Sequence, residues 1–164
     1  RFLGVMSALT DMSDPALIER LQRGAFSYLT EYVNPQNGLV ADTSRAGSPC
    51  SIAVVGFALS CYPIAVHNGW MTRDAAAART LKTLQFFAAS EQGEQPGATG
   101  YKGFYYHFLD MQTGKRVWQC ELSLIDTALL LAGMRTARCY FGGTGDEAEI
   151  RRLADFLFDR IDWL

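Results

Sequence analysis

The chain has 164 residues, of which 49% are hydrophobic and 20% charged, a composition typical of one globular domain with a sizeable core. Its formal net charge of −2 gives no basic footprint for nucleic acid, and no apolar run is long enough to span a membrane. The N-terminus opens on Arg1 with a short apolar patch, which favours a trimmed or truncated start over an intact signal peptide.

The four cysteines and two histidines are too dispersed to predict a zinc site. Cys50, Cys61, Cys120 and Cys139 form no C-x-x-C pair. Cys61 and Cys139 lie within apolar helical runs, where a small buried thiol is the ordinary interpretation. We therefore expect neither a metal nor a cofactor.

The first predicted helix begins with Asp14 as its cap and Pro15 at the first helical position, and it ends near Val33, before Asn34-Pro35. Its apolar residues recur at helical spacing, which indicates an amphipathic helix that covers a core on one side. They are Leu17, Leu21, Ala25, Tyr28 and Tyr32.

Residues 51–67 follow a loop at 34–50 and contain no charged side chain, which predicts a helix buried on all sides. Pro63 should kink this helix or mark a break near its end. Thr72 then caps a third, amphipathic helix that has Asp74 in its first turn and extends to about Ala89.

A second nearly uncharged helix is predicted from about Ser123 to Tyr140, after a long connection at 91–120. The last helix opens with Asp146 and Glu149 in the spacing of a capping box, and it continues amphipathically to Ile161.

Amphipathic and buried helices thus alternate, which indicates an inner and an outer layer. Short turns join inner to outer helices, whereas the two long loops, 34–50 and 91–120, join outer to inner ones. If neighbouring helices are antiparallel, both long loops and the N-termini of the inner helices lie on one face. Long loops over a rigid scaffold are where function usually sits.

The second long loop concentrates aromatic and acidic side chains. Residues 103–110 and 115–119 predict a β-hairpin that turns at 112–114. Strict alternation would put Phe104, Tyr106 and Phe108 on one side, and Tyr105, His107 and Leu109 on the other. Aromatic faces and carboxylates suit a sugar, although the rings could instead pack the hairpin onto the helices as a lid. The candidate substrate-binding residues here are Tyr101, Tyr105, His107, Asp110 and Trp118.

Two acids near the second inner helix are candidate catalytic residues. Glu121 lies between apolar neighbours, so partial desolvation would raise its pKa and suit a general acid; the alternative is a solvated loop acid. Asp126 follows Ser123 in the spacing of a capping box, so it either caps the helix or takes part in the site.

Asp42 and Arg45, in the segment GLVADTSR of the first long loop, are expected to lie beside the hairpin and to bind sugar hydroxyls. The alternative is that the two side chains pair locally within a turn.

The segments GLVADTSRAGSP, IAVVGFALSCYPIAVHNGWMTRDAAAARTLKTLQFF, GYKGFYYHFLDMQTGKRVWQCELSLIDTALLLAG and RIDWL resemble the bacterial glucoamylase-like (glycoamylase-like) family. Its relatives include the endo-β-1,2-glucanases of glycoside hydrolase family 144, and the likeness covers nearly the whole chain. It implies an (α/α)6 barrel, a glucan cleft over the N-termini of the inner helices, inverting hydrolysis, and a periplasmic or secreted location. Cys120 stands where Asp or another polar residue is expected, and Leu124 where Thr is usual.

An (α/α)6 barrel has six helix pairs, more than this sequence predicts, and family members continue past Asp162-Trp163 into helices that carry another site acid. We therefore expect residues 1–164 to be a single partial domain, the N-terminal half of an all-α barrel whose partner is the missing C-terminal half. Such a chain should be inactive or nearly so alone, and an open half-barrel should expose apolar surface and associate. The alternatives are a non-catalytic helical carbohydrate-binding or interaction module, and a barrel with glucan transferase or phosphorylase chemistry.

Overall fold

The computed structural model describes residues 14–163, so the predicted trimmed start at Arg1 lies outside the described part. The chain divides into two compact units after Glu31. The described part of the first unit is one helix, α1 (Asp14–Glu31), which confirms the first predicted helix with an end two residues earlier. Within residues 14–163, no helix combines the length and apolar character needed to cross a bilayer.

The second unit contains the other helices, α2 (Ile52–His67), α3 (Arg73–Ala89), α4 (Leu124–Tyr140) and α5 (Asp146–Asp159). All four predicted helices are therefore confirmed. Five short strands lie in the long loops: β1 (Cys50–Ser51), β2 (Gly100–Tyr101), β3 (Phe104–Tyr106), β4 (Phe108–Leu109) and β5 (Leu122–Ser123). α2 continues through Pro63 to His67.

Two of the predicted helix caps form as expected. Thr72 Oγ1 accepts a hydrogen bond from Ala75 N at 3.2 Å, and Ser123 Oγ accepts one from Asp126 N at 3.2 Å. The prediction that Asp146 caps the last helix is wrong. Gly145 occupies the cap position of α5 at φ +61°, so Asp146 falls inside the first turn, where a carboxylate is favoured by the helix dipole.

The inner layer is the close pair α2 and α4. A Cβ on Gly133 of α4 would lie 2.7 Å from Gly56 Cα of α2 and closer still to its carbonyl oxygen, so the two backbones touch at these glycines. In the outer layer, Arg73 of α3 binds Glu147 of α5 through two hydrogen bonds, of 2.6 and 2.9 Å. The predicted alternation of inner and outer helices is confirmed for these four helices.

The prediction that the inner helices are buried on all sides is wrong. Phe57 and Ile64 of α2, and Leu124 and Ile125 of α4, are exposed. The expected exposed apolar surface is therefore present.

All four cysteines are free thiols. Cys50 is buried, and burial raises its pKa and that of the half-buried Cys61. Cys139, in contrast, is exposed in the last turn of α4, so the expectation of a buried thiol is wrong there. An apolar sequence does not tell which side of a helix faces solvent.

Of the predicted hairpin, mainly the turn forms. Asp110 N donates to Lys115 O at 2.8 Å, and Leu109 forms a β-bridge with Arg116. The segment before the turn breaks at His107 into two strands. β3 pairs antiparallel with β2 and β5, and β4 pairs antiparallel with β1. The simple alternation of sides is therefore wrong across His107, whose ring stacks on that of Phe108 with centroids 3.8 Å apart.

These pairings bring the N-termini of the two inner helices next to the segment that contains His107. β1 and β5 lead directly into α2 and α4, and both pair with the segment that contains His107. His107 N donates to Glu121 O at 3.1 Å, and His107 O accepts from Ile52 N at 3.2 Å. The first long loop joins the same face, since the Asn34 and Asn37 side chains donate to Met111 O at 2.7 and 3.0 Å. The prediction that both long loops share a face with the inner-helix N-termini is confirmed.

Candidate active site

His107 and Glu121 face each other because of strand register. Tyr105 pairs with Ser123 and Tyr106 with Leu122, so the next residues along the antiparallel ladder are His107 and Glu121. His107 Nδ1 lies 2.8 Å from Glu121 Oε1. A carboxylate can only accept a hydrogen bond, so Nδ1 carries the proton when Glu121 is ionised.

The other imidazole nitrogen faces Asp126. His107 Nε2 lies 3.6 Å from Asp126 Oδ2, beyond hydrogen-bond distance, and that oxygen accepts a hydrogen bond from Ser123 Oγ. The Asp126 side chain is only 14% exposed. Asp126 thus contacts its capping partner and His107 at once, so the capping and site interpretations are compatible.

These three groups are the one cluster in the described part of the chain that could reach a single cation, with ligand atoms within 4.8 Å of one another. His107 Nδ1 is already bonded to Glu121, and Asp126 to Ser123. Hydrogen bonds account for the cluster, and we assign it no metal.

The electrostatics of Glu121 differ from the expectation. Its side chain is 64% exposed, so the predicted desolvation and raised pKa are wrong. A hydrogen bond from its own backbone amide, followed by the one from His107, lowers the pKa of Glu121, and the charge of Arg116 acts in the same direction. Glu121 is therefore an exposed, ionised carboxylate at neutral pH.

Trp118 is the most exposed large apolar side chain of the site, at 73%. It and Gln119 both have positive φ, +54° and +51°, a region that side chains other than glycine rarely adopt. The Trp118 ring packs edge-on against Phe108, with centroids 5.5 Å apart. Backbone strain that presents a bare aromatic face is typical of functional loops.

Tyr105 does not reach the site surface. Its side chain is fully buried, the ring packs edge-on against Phe87 at 4.8 Å, and its hydroxyl contacts Arg160 Nη2. Burial raises the pKa of Tyr105 to about 12, against the opposing effect of Arg160. Its predicted substrate contact is wrong because β3 is the central strand of its sheet and turns this ring into the core.

We expect Tyr105→Phe to destabilise the protein by about 1 kcal/mol at pH 8, because it removes a buried hydrogen-bonded hydroxyl. The folded-state pKa is raised, so this contribution is present below pH 10 and is lost as the pH rises from 10 to about 12. Urea unfolding of both proteins between pH 8 and 12 measures the difference. A gap that stays constant over this range would contradict the assignment.

Asp110 bonds the turn of the hairpin, and Tyr101 belongs to β2. Asp110 Oδ1 accepts from Thr113 N and Thr113 Oγ1, both at 2.8 Å, and the bond from the Thr113 amide is the main reason that its pKa is lowered. Asp110 therefore holds the turn. Tyr101 pairs with Phe104, at the opposite end of β3 from His107.

Asp42 and Arg45 are exposed in the first long loop. Asp42 N donates to Pro49 O at 2.7 Å, and the adjacent Ala41 bridges Cys50, which pairs with Leu109 of β4. This places the backbone of Asp42 beside the hairpin segment, as expected. Sugar binding by the two side chains stays a prediction.

Two further residues support the site, and neither was a candidate site residue in the sequence. Arg116 stacks over Tyr106 at 4.1 Å and donates to Gln119 O at 2.6 Å, which fixes a cation near Glu121. Cys120 Sγ contacts both Phe108 N and Phe108 O, at 3.3 and 3.4 Å. The cationic pair Lys115-Arg116 between an aromatic and an acidic stretch was the available signal for Arg116.

No family model matches the chain. An exo β-1,2-glucooligosaccharide sophorohydrolase (non-reducing end) of Parabacteroides distasonis is 27% identical over 159 residues, which cover 93% of this chain and 21% of that protein. Solved structures also match 93% of the chain. A glucoamylase-like protein from Bacteroides uniformis has a TM-score of 0.83 and 24% identity, and a β-1,2-glucanase from P. distasonis has a TM-score of 0.81 and 26% identity.

The chain spans 37% and 22% of these two solved chains, and about a fifth of the sophorohydrolase. Over that length its helices superpose on part of the (α/α)6 barrel of these proteins, which confirms the predicted fold class. The relatives are the proteins that the sequence motifs resemble. The chain is therefore a homologue of the glucoamylase-like proteins and β-1,2-glucanases, with the fold of one part of their barrel.

Proposed function

We propose that this chain forms part of a glycoside hydrolase that cleaves a β-linked glucan, with β-1,2-glucan as the substrate. The observation that carries the proposal is the exposed, ionised carboxylate of Glu121, three residues along the chain from exposed Trp118, on the face where the inner-helix N-termini and both long loops meet. Cleavage of a glycosidic bond requires a carboxylate, and an exposed aromatic ring can bind the sugar. The named activities of the relatives supply the substrate class.

In inverting hydrolysis one carboxylate activates the attacking water and one carboxylic acid protonates the leaving oxygen. The two carboxyl groups lie about 6.5 to 9.5 Å apart. Glu121 and Asp126 offer oxygens within 4.8 Å of each other, and the His107 ring contacts both, which leaves no room for a sugar between them. The pair is thus too close for an inverting enzyme. We assign Glu121 to the substrate and place the second acid outside this chain.

The exposed side of α2 and α4 supports the same arrangement. Phe57, Ile64, Leu124 and Ile125 are exposed apolar side chains on helices that otherwise pack as inner helices. We propose that further barrel helices cover them in the complete protein and complete the cleft. The substrate is then an oligo- or polysaccharide bound across both parts.

The test is hydrolysis of β-1,2-, β-1,3- and α-1,4-glucans by the complete protein, with products resolved by chromatography. We expect oligosaccharides from β-1,2-glucan, at the same rate with and without phosphate, and products of inverted anomeric configuration by NMR. A phosphate requirement would move the assignment to phosphorolysis, and binding without any cleavage would favour a carbohydrate-binding module.

The 164-residue chain alone is expected to be inactive or nearly so in the same assay, and to associate through the apolar side of α2 and α4. Light scattering measures the association. Turnover by the purified chain, with contaminating enzyme excluded, would contradict the proposal of a divided active site.

A further inference from the structure

We propose that His107 is a positioning residue that holds the Glu121 carboxylate in its reactive orientation, and that Asp126 acts on Glu121 only through His107. The inference rests on the proposed glycan-cleaving function and assigns roles within that site. It makes Ser123, Asp126, His107 and Glu121 one connected array that begins at the N-terminus of α4.

Every part of His107 is held. Its backbone N–H and C=O bond Glu121 and Ile52, at 3.1 and 3.2 Å, which ties the residue to the position before β5 and to the first residue of α2. Its ring lies flat on Phe108, with 14° between the planes. Cys120 Sγ in turn contacts the backbone of Phe108. The imidazole is therefore fixed in place and direction without a ligand.

Asp126 lies on the other side of the ring, where its Oδ2 is 3.6 Å from His107 Nε2, an ion-pair contact longer than a hydrogen bond that is attractive when the imidazole carries both protons. Asp126 is mostly buried and bonded to Ser123, whereas Glu121 is mostly exposed. His107 Nδ1 donates to Oε1 of Glu121, and the backbone amide of Glu121 also bonds the carboxylate. A flexible, exposed glutamate gains a defined direction from one such hydrogen bond, and fixed geometry is a large part of catalytic rate.

The charges that face Glu121 are His107, which lies between β3 and β4, Arg116 from the hairpin loop, and Asp126 of α4 beyond the ring. Loss of the His107 hydrogen bond removes one of the effects that lower the pKa of Glu121. Its pKa should then rise, and the fraction of ionised Glu121 at a given acidic pH should fall.

The decisive variant is His107→Phe in the complete protein, since phenylalanine keeps the stack on Phe108 but removes both nitrogens. We expect turnover to fall at least about tenfold, and the acidic limb of kcat/KM to move to higher pH. His107→Asn, which returns a donor near the Nδ1 position, should bring that limb back toward the wild-type midpoint. His67→Phe, at the exposed other histidine, is the matched control for loss of an imidazole.

The link to Asp126 is tested by a double-mutant cycle. If Asp126 acts only through His107, Asp126→Asn lowers turnover in the wild-type background and has no further effect in His107→Phe. An equal loss in both backgrounds would overturn the proposal, because Asp126 would then act on the substrate independently. An unchanged pH profile in His107→Phe would overturn it as well.

A readout independent of activity separates this inference from the proposed function. In ¹⁵N NMR of the complete protein, His107 Nδ1 should carry a proton bonded to Glu121, and Glu121→Gln should shift that resonance. An unprotonated Nδ1 overturns the array even in an active enzyme. A protonated Nδ1 in a protein that cleaves no glucan supports the array and rejects only the proposed function.

Discussion

Glu121→Gln in the complete protein is expected to reduce turnover about a hundred- to ten-thousand-fold, the range typical of a lost general acid–base group. Glutamine keeps the size of the side chain and can still pair with His107, but it cannot be an ionised carboxylate. Because Glu121 is largely exposed, its replacement should leave the melting temperature almost unchanged. Initial rates on β-1,2-glucan, measured beside thermal unfolding, test both parts.

Glu94→Gln is the matched control, because Glu94 is an exposed acid in the same long connection, ahead of the strands that form the site. It should retain wild-type turnover and stability. Asp126→Asn is the informative comparison, since weakening the contact with Ser123 should cost on the order of 1 kcal/mol of stability. Full activity in Glu121→Gln would remove Glu121 from the catalytic site.

Gly133→Ala is expected to destabilise the protein by roughly 1–3 kcal/mol, the cost typical of overpacking in a tight core. An alanine Cβ at this position would lie 2.7 Å from Gly56 Cα, and the nearest atoms are backbone atoms of α2, which cannot rotate away. The two inner helices would have to separate. Thermal unfolding should show a decrease in melting temperature of roughly 2–4 °C for each kcal/mol lost.

The direction of this effect is diagnostic, because glycine to alanine within a helix ordinarily stabilises by about 1 kcal/mol. Gly24→Ala in α1 provides the control, since a Cβ there would meet nothing within 4 Å. We expect Gly24→Ala to be neutral or stabilising. A stabilising effect of both substitutions would mean that α2 and α4 do not touch at Gly56 and Gly133.

The sequence by itself determined the helices, their order in two layers, and the face on which the site forms. Helical periodicity and the caps at Thr72 and Ser123 are local signals, and the structure retains them. Loop lengths were enough to place both long connections over the inner-helix N-termini, because short turns force neighbouring helices to be antiparallel. The motifs were also specific enough to indicate the relatives.

Only the tertiary structure decided how the site residues are presented. The break of the hairpin at His107 depends on β1 and β5, which come from other parts of the chain and pair with β4 and β3, on either side of His107. That pairing buries Tyr105 and leaves Glu121 in solvent beside His107, which reverses the expected direction of its pKa. Burial and register arise from long-range contacts, and a local pattern of residue types does not contain them.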